Sequence, residues 1–532
     1  MDRRQFLASG AALLAGGCAF DEPHSMPLGA MLTTSHGLGH LMRDGGSFTV
    51  TEKRRVPIAI VGGGIAGLSA AWRLARSGVR DFEIYELEAR PGGNSAWGEN
   101  EVSAYPWGAH YIPLPTEESR STRELLADLG VLTGDPHAAT PRYEERALCH
   151  APQERHFRNG SWEEGIAPLA GRSPSELAEW DRFQARMRAF REARGGDGRR
   201  AFAIPLEFSS RDAEYLALDR LTMAQWLRAE GFVTEAVHWL ANYGCRDDYG
   251  CDYSRVSAWA GIHYFACRSG TARDADPETV LTWPEGNGYV VKKLIERGKL
   301  AIRPRALVYS LREERGYVTL GIYLADERRA IEVEAEHVIW AAPLAFASHA
   351  FGRSGNADER LVAALRSYDY APWVVANVTL SEPPYLHHGA PLCWDNVLYD
   401  SASLGYVVAT HQGLRSRPGP TVLTWYLPLT RGDTREARKS LLASGREPWV
   451  NAALADLEKP HPEIRDIVQR VDVFANGHGM VLPRPGTIWG DARRRITAPA
   501  RRVHFAHADA SGLSLFEEAN HRGVVAAERV LA

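Results

Sequence analysis

The 532-residue sequence predicts an α/β fold with two interleaved domains, and two observations support this prediction. An apolar run at residues 58–61 leads through a glycine-rich turn and a helical segment to a second apolar run at residues 82–85. Helical patterns then fill residues 114–280, and strand patterns begin again only at Ala306. The chain therefore leaves a domain built on a parallel sheet, forms a second, α+β domain, and returns.

The turn after the first apolar run has the spacing Gly62-x-Gly64-x-x-Gly67. Gly62 permits a tight turn, Gly64 lets the backbone approach a pyrophosphate, and Gly67 lets the helix pack closely on the strand. The free N–H groups of that helix favour bound phosphate. Glu86 follows about 20 residues later, where an acid binds a ribose hydroxyl. The stretch predicts a Rossmann-type dinucleotide site; the alternative is a glycine-rich turn in an unrelated α/β protein.

The run that begins at Glu86 resembles a signature of the flavin-containing amine oxidoreductases. It reads Glu86-Leu87-Glu88-Ala89-Arg90-Pro91-Gly92-Gly93 and fits the ExxxRxGG pattern of a family that includes monoamine oxidases, polyamine oxidases, L-amino-acid oxidases and phytoene desaturases. The resemblance implies FAD as the cofactor, with Gly92 and Gly93 passing the flavin and Arg90 near the phosphates. The alternative for Arg90 is an ordinary surface arginine.

Two later segments resemble further blocks of the same family. Trp107-Gly108-Ala109-His110-Tyr111 is similar to the block that passes the flavin ring, although Pro106 and Trp107 stand where the family often has an acid. By the same resemblance, Val308 is expected near the adenine. The alternative for Val308 is a plain core valine.

The C-terminal segment resembles the last block of the family. Asp509 stands where the family places an aspartate on the flavin ribityl chain or pyrophosphate, with Ala508 in place of the usual glycine. The resemblance implies that the final helix directs its N-terminus at the N1–O2 edge of the flavin, where Glu518-Ala519 replaces the usual Gly-Ala. No cysteine lies between Pro483 and Asp509, where the covalent flavin link of monoamine oxidases would be sought, so non-covalent FAD is expected.

The N-terminus predicts an exported protein. Arg3 and Arg4 precede an apolar run that ends at Cys18; this pattern resembles a twin-arginine signal and is too short to span a membrane. A periplasmic location follows, with a lipid anchor at Cys18 or plain cleavage nearby as the two alternatives. Residues 19–55 show no clear period and are predicted to be a linker that ends in an additional strand.

The remaining domain boundaries are placed where strand patterns reappear in the sequence. We expect an FAD-binding domain at residues 56–113, 281–345 and 484–532, and a substrate domain at residues 114–280 and 346–483. A net charge of −4 gives no reason to expect nucleic acid as a partner. The resemblance implies a small-molecule substrate and oxygen or another electron acceptor as partners.

Within the substrate domain, residues 242–252 combine acids, an arginine and tyrosines in a predicted loop. Asp247 and Asp248 beside aromatic rings suit a cationic amine, through ion pairing and cation–π contact. The alternative is a solvated loop in which Arg246 pairs with an aspartate. His263 follows in an aromatic run and is a candidate catalytic base; its alternative is a core histidine.

The cysteines give little guidance about cross-links or metals. Cys245 and Cys251 are close enough in sequence for a disulfide in an oxidising compartment. A zinc site that combines them with His263 and Cys267 fits no usual ligand spacing, so no metal is expected.

Taken with the resemblance, these features predict an FAD-dependent oxidoreductase that oxidises an amine, such as a polyamine or an amino acid, by hydride transfer to flavin N5. Two alternatives stay open. One is a phytoene-desaturase-like enzyme on an apolar substrate, for which an apolar pocket is expected. The other is a flavin-binding protein without turnover.

Overall fold

The computed structural model describes residues 25–353, 358–414, 417–498 and 501–532. The signal predicted at residues 1–18, including Cys18, lies outside these ranges and stays a prediction. None of the helices within the ranges combines the length and the apolar character that a bilayer crossing requires.

The described residues form strands and helices with the following bounds. The strands are β1 (Met31–Thr33), β2 (Val50–Val61), β3 (Phe82–Tyr85), β4 (Trp97–Glu99), β5 (Ala104–Pro106), β6 (Tyr111–Pro113), β7 (Leu132–Thr133), β8 (Arg142–Tyr143), β9 (Glu154–Arg158), β10 (Ser161–Glu164), β11 (Val280–Thr282), β12 (Ile302–Arg303), β13 (Ala306–Glu313), β14 (Val318–Leu324), β15 (Arg329–Trp340), β16 (Tyr370–Leu380), β17 (Asp395–Leu398), β18 (Gly405–Val408), β19 (Thr421–Pro428), β20 (Val468–Val481) and β21 (Val503–Phe505). The helices are α1 (His36–Arg43), α2 (Ile65–Arg76), α3 (Arg120–Asp128), α4 (Pro174–Glu192), α5 (Ala213–Ala217), α6 (Met223–Ala229), α7 (Glu235–Tyr249), α8 (Ala258–Ala266), α9 (Gly288–Gly298), α10 (Leu344–Gly352), α11 (Glu359–Arg366), α12 (Thr434–Ala443), α13 (Glu447–Leu457), α14 (Ile464–Ile467), α15 (Asp491–Thr497) and α16 (Phe516–Leu531).

The first sheet contains the strand–turn–helix–strand unit that the glycine spacing predicts. Its order is β12–β3–β2–β15–β14–β13, and β21 pairs with the last residues of β15. β2 runs parallel to β3 and β15, so Val61 lies beside Tyr85 on one side and Trp340 on the other. The carboxyl ends of these strands meet at one edge, which is where open α/β sheets bind ligands. The segment from Arg329 to Trp340 forms one continuous strand, β15.

The second sheet is mostly antiparallel and has the order β1–β20–β16–β19–β18–β17–β9–β10. Successive residues of β16 face opposite sides of the sheet. Trp373 and Val375 belong to a hydrophobic core shared with residues of α4, α6, α7 and α8, whereas Val374 and Ala376 belong to a core shared with residues of α12 and α13. One face of the sheet therefore meets helices that lie between β10 and β16 in the chain, and the other face meets helices that lie between β19 and β20.

Residues 25–47, which we call the N-terminal strap, form a strand and a helix where the sequence predicts a linker. β1 adds to the edge of the second sheet beside β20, and Arg446 donates hydrogen bonds to the carbonyls of Pro27 at 2.6 Å and Leu28 at 2.7 Å. Ser35 then reaches the first domain, where its backbone N–H donates to Glu88 at 2.8 Å and its hydroxyl at 2.7 Å. The linker prediction is corrected here because contacts distant in sequence order the segment.

The cysteines from Cys149 onwards are buried, and none of them is bridged to another described cysteine. Those in the described ranges are free thiols, so the disulfide considered for Cys245 and Cys251 does not form. Burial raises the pKa of both thiols above the ordinary value. Within the same ranges, no group of three or more His, Cys, Asp or Glu side chains is arranged to hold a metal ion.

Candidate cofactor and substrate site

A cavity of about 2000 Å³ opens at the carboxyl ends of the first sheet. Ligand pockets are usually about 300–1,000 Å³, so this cavity has room for a ligand of dinucleotide size. The N-terminal strap contributes Leu32, His36, His40 and Met42 to its lining. The predicted cofactor-binding residues that line it are Gly62, Gly64, Glu86, Arg90, Gly92, Gly93, Val308, Asp509 and Ala519.

Each glycine of the turn meets a different constraint. Gly62 has a φ of +105°, a conformation that side chains rarely adopt. A Cβ atom on Gly67 would lie 1.9 Å from the Gly62 carbonyl oxygen, so Gly67 packs against the turn and does not line the cavity. A Cβ atom on Gly64 would have no protein atom nearer than 3.9 Å and would enter the cavity space. α2 begins at Ile65 without a side-chain cap, which leaves its first N–H groups available to phosphate.

Glu86 directly follows β3 and is 7% exposed. Its Oε2 accepts the Gly63 N–H at 2.5 Å, and its Oε1 accepts the Glu88 N–H at 2.7 Å. Burial raises the pKa of this carboxyl to about 7. Each carboxylate oxygen has a second lone pair for a donor in the cavity, which suits the predicted contact with a ribose hydroxyl.

Asp509 is fully buried at the cavity wall. Its Oδ2 accepts the Tyr370 hydroxyl at 2.6 Å and the Leu344 N–H at 2.9 Å. Its Oδ1 lies 2.9 Å from His507 Nδ1, but that nitrogen accepts the Asp509 N–H at 3.2 Å. Oδ1 lies beside this ring at the cavity wall, and its remaining lone pair could accept a hydroxyl of a bound cofactor. Burial opposes ionisation, but the contacts with His507, Tyr370 and Leu344 hold the pKa of this carboxyl below its ordinary value.

The last helix, α16, meets the cavity at its N-terminal turn through Phe516 and Ala519. Glu518 occupies the position where the resembling family has a small residue, and it is fully buried. Its Oε1 accepts the Leu206 N–H at 2.5 Å, which directs the side chain into the substrate domain. Glu518 does not line the cavity, so its side chain does not block the close approach between α16 and the flavin that is expected at Ala519.

His110 lies one residue beyond the cavity lining and does not contact the cofactor space. Its neighbour Ala109 is the lining residue, and the His110 ring stacks on Tyr426 with 4.7 Å between ring centres. Burial lowers the pKa of His110 to about 4, so the ring is neutral. The predicted cofactor contact is corrected because the backbone, rather than this side chain, faces the cavity.

His263 is a core histidine, and its assignment as a catalytic base is wrong. The side chain is fully buried in α8 and stacks on Trp259 with 4.9 Å between ring centres. Its Nε2 lies 3.0 Å from the Ala203 carbonyl oxygen, and burial lowers its pKa to about 4. The ring therefore packs the helical layer of the substrate domain, away from the cavity lining.

The segment predicted as an acidic loop is mostly helix. α7 continues to Tyr249 and ends at Gly250, whose φ of +63° forms a left-handed C-cap. The helix separates the charges of the segment: Arg246 donates to the Ser403 carbonyl at 2.7 Å, while Asp252 accepts a backbone N–H two residues further on. Of the acids in this segment, only Asp247 and Asp248 remain as candidates for a substrate contact.

Asp247 and Asp248 face the interior between α7 and the strand β6. The Tyr111 hydroxyl donates to Asp247 at 3.3 Å. Arg268 donates to Asp248 at 2.6 Å and to the Tyr111 hydroxyl oxygen at 3.0 Å. Burial raises the pKa of both carboxyls, in Asp248 to about 7.

Two further acids join them from the second sheet, and sequence reasoning missed both. β9 and β17 pair in parallel, which sets Glu154 directly beside Asp395. Burial raises the pKa of both carboxyls, and the charges of Asp247 and Glu154 raise that of Asp395 further. No local pattern links acids so far apart in the chain, because only strand pairing brings them together.

These residues form one cluster, which we call the acid–aromatic pocket. It consists of Glu154, Asp247, Asp248, Asp395 and Arg268, with the rings of Tyr111, Tyr243, Tyr264, Trp394 and Tyr426. The Tyr426 hydroxyl donates to the Gly108 carbonyl at 2.9 Å, and Trp107 and Ala109 on either side of Gly108 line the cavity. The pocket therefore lies directly behind this wall of the cavity.

Comparison of the sequence with known proteins identifies a nucleotide-binding domain. Residues 60–129 match the model of the NAD(P)-binding Rossmann-like domain. The chain is 36% identical to tryptophan 2-monooxygenase of Pantoea agglomerans pv. gypsophilae over 81 residues, which is 15% of this chain and 11% of that enzyme. These matches support a Rossmann-type domain at the glycine-rich turn.

Solved structures resemble nearly the whole chain. Putrescine oxidase bound to putrescine has a TM-score of 0.63 at 15% identity, covering 90% of this chain and 99% of that one. Cyclohexylamine oxidase from Brevibacterium oxydans has a TM-score of 0.62 at 18% identity, covering 89% and 98%. The chain has the fold of these amine oxidases. The predicted α/β class, a Rossmann-type domain interleaved with an α+β domain, is confirmed.

The amine oxidase fold also occurs in a fatty acid isomerase from P. acnes that produces CLA, with a TM-score of 0.61 at 15% identity, covering 88% of this chain and 97% of that one. The residues present fit FAD. The turn leaves space for a pyrophosphate, Glu86 can accept a ribose hydroxyl, and Asp509 Oδ1 can accept a further hydroxyl of the cofactor. The cysteines of the described residues lie outside the cavity lining.

Proposed function

We propose that the protein is an FAD-dependent oxidoreductase that oxidises an amine. The observation that carries the proposal is a cavity with the features of a dinucleotide site, directly backed by the acid–aromatic pocket. FAD, when bound, supplies the acceptor at N5 for the hydride that the substrate loses. The protein itself would position the substrate against FAD and stabilise the charges that develop on both.

Four groups of the protein would hold FAD, each binding a different part of the cofactor. The N-terminus of α2 would hold the pyrophosphate, with Gly64 leaving space for it. Glu86 would accept from the ribose and Asp509 from the ribityl chain. The N-terminus of α16, beside Ala519, would stabilise negative charge on the ring through its dipole.

The substrate side favours a cation over a hydrocarbon. Burial raises the pKa of Glu154, Asp247 and Asp395, and a bound cation would favour their charged forms, whereas an apolar polyene would offer these acids neither charge nor hydrogen-bond donors. The tyrosine and tryptophan rings beside them attract cations through their π faces. These features support an amine over the phytoene-desaturase-like alternative.

Anaerobic flavin reduction tests the proposal. We expect at least one amine or amino acid from a panel to bleach the visible absorbance of the holoprotein, because hydride loss reduces the flavin. Polyenes serve as the comparison, and oxygen or another acceptor would then restore the colour. Bleaching by polyenes alone would contradict amine oxidation, and no bleaching by any compound would favour a flavoprotein without turnover.

The same preparation tests how FAD is held. Non-covalent FAD is part of the proposal, supported by the observation that the cavity lining contains none of the described cysteines. Denaturation should release free FAD into the supernatant, whereas a yellow precipitate would indicate a covalent link.

Export is part of the proposal as well, and rests on sequence. The Arg3-Arg4 pair before the apolar run supports the twin-arginine route to the periplasm, with lipidation of Cys18 as one fate of the signal. Replacing both arginines with lysine should leave precursor in the cytoplasm, which fractionation measures. Unchanged export of the double variant would contradict this route, and Cys18→Ser would show by membrane release whether a lipid anchors the protein.

A further inference from the structure

We propose that the substrate domain carries a binding site for a phosphate group, separate from the cavity that would hold FAD. The site is a second cavity, of about 480 Å³, between the second half of α7 and the loops that follow β17 and β19. Among the described residues, the two cavities share no lining residue. We call the second one the arginine cavity; the lining residues that matter here are Arg246, Arg255, Arg431, Asp252, Asn242 and Ser254.

The charges of the arginine cavity do not balance. Three arginines, Arg246, Arg255 and Arg431, share its lining with one acid, Asp252. In the part of the chain that the structure describes, none of these arginines forms an ion pair. The lining therefore has an excess of two positive charges. A phosphate monoester carries a charge of about −1.5 to −2 near pH 7, which would neutralise most of this excess.

The charge of Arg246 is partly withdrawn from water. Burial lowers the pKa of its guanidinium and the charge of Arg431 lowers it as well, although Asp252 acts in the opposite direction. A positive charge in such a setting is costly when it lacks a partner. A bound anion would provide that partner and would offset the repulsion between Arg246 and Arg431.

Backbone contacts hold two of the guanidinium groups in place. Arg246 donates to the Ser403 carbonyl at 2.7 Å and also to the Ala402 carbonyl, and Arg255 donates to the Gly432 carbonyl at 2.9 Å. A guanidinium has five N–H donors, and the contacts with described residues use fewer than half of them in either side chain. Positioned arginines with unused donors suit the several oxygens of a phosphate group.

The acid of the lining is engaged within its own turn. Asp252 Oδ1 accepts the Ser254 N–H at 2.9 Å and the Ser254 hydroxyl, so local donors satisfy this oxygen. Arg431 is exposed, and the arginine cavity is therefore accessible from solvent. Its volume lies within the range of about 300–1,000 Å³ that is usual for small ligands. The phosphate can thus belong to a small soluble ester, and the headgroup of a phospholipid has the same chemistry.

Isothermal titration calorimetry of the holoprotein tests this site. The holoprotein is used because bound FAD would fill the pyrophosphate position of the first cavity. The probes are inorganic phosphate, glycerol 3-phosphate and acetate, each added at constant ionic strength so that charge screening does not change. We expect saturable binding of both phosphates and at least about tenfold weaker binding of acetate, because acetate carries one charge and can form fewer charge-assisted contacts.

Charge variants assign the binding to the arginine cavity. Arg431→Gln and Arg255→Gln should each weaken phosphate binding about threefold or more, since each removes a charge-assisted contact. Asp252→Asn should strengthen binding, because it removes the negative charge of the lining and keeps an oxygen that accepts from Ser254. Arg188→Gln is the control variant, since Arg188 is exposed on α4 and lies outside the lining of both cavities.

Cosedimentation with vesicles separates the two sources of phosphate. Binding to phosphatidylcholine vesicles that contain phosphatidic acid, lost in Arg431→Gln, would assign the site to a lipid headgroup; binding of glycerol 3-phosphate without vesicle binding would assign it to a soluble ester. No binding of either phosphate, or binding that the three cavity variants leave unchanged, would overturn the site. These measurements need no turnover, so their outcome is independent of amine oxidation.

Discussion

Gly64→Val is expected to leave a folded protein that no longer binds FAD. Gly64 has φ −77° and ψ −176°, which valine adopts without strain, and a Cβ there meets no protein atom nearer than 3.9 Å. The added methyl groups would instead occupy the space of the pyrophosphate at the N-terminus of α2. We expect the affinity of the apoprotein for FAD to fall on the order of 100-fold or more, since overpacking costs about 1–3 kcal/mol and often more against a rigid turn.

Titration of the apoprotein with FAD, followed by flavin fluorescence, measures this change. Gly316→Val is the matched control, because Gly316 lies in an exposed turn where a Cβ meets nothing within 4 Å and φ is not positive. Circular dichroism and thermal unfolding of the two apoproteins should agree. A yellow Gly64→Val protein with normal FAD content would contradict the cofactor site.

Gly67→Val is expected to destabilise the fold itself, in contrast to Gly64→Val. Gly67 lies in the first turn of α2, three residues after Gly64. A Cβ on Gly67 would lie 1.9 Å from the Gly62 carbonyl oxygen, a backbone atom that cannot move without opening the turn between β2 and α2. The backbone of Gly62 is itself fixed, because its N–H donates to the Tyr85 carbonyl at 2.8 Å. We expect a loss of about 3 kcal/mol or more in the free energy of unfolding.

Denaturant unfolding of the apoproteins separates the two glycines. Gly64→Val should unfold at the denaturant concentration of the parent protein, and Gly67→Val should unfold well below it or accumulate as insoluble material. Equal stability of the Gly67→Val and Gly64→Val apoproteins would contradict the assignment of Gly67 to helix packing.

The cofactor site was predictable because its signals are local. The turn, the helix and Glu86 lie within about 30 residues, the length of one strand–helix–strand unit, and each residue type has its own physical role there. The C-terminal contribution of Asp509 required a resemblance, since no local pattern links it to the turn. The direction of the Glu518 side chain required the structure, because its partner is the backbone of Leu206.

The substrate site was predictable only in part. Residues 242–252 have the composition of a loop, yet Gly244 lies inside α7, where a Cβ would meet the Tyr264 ring at 2.6 Å. That glycine serves close packing rather than a turn, so the helix was missed. Glu154 and Asp395 were missed for a different reason, because the pairing of β9 with β17 depends on the whole sheet.

The N-terminal strap connects both domains to the cavity. It is attached to both domains, through β20 and Arg446 on one side and Glu88 on the other, and it forms part of the cavity lining. A ligand bound in the cavity would contact the strap together with both domains. Because ligand binding stabilises the state that binds, a bound ligand would also stabilise the attachment of the strap to each domain.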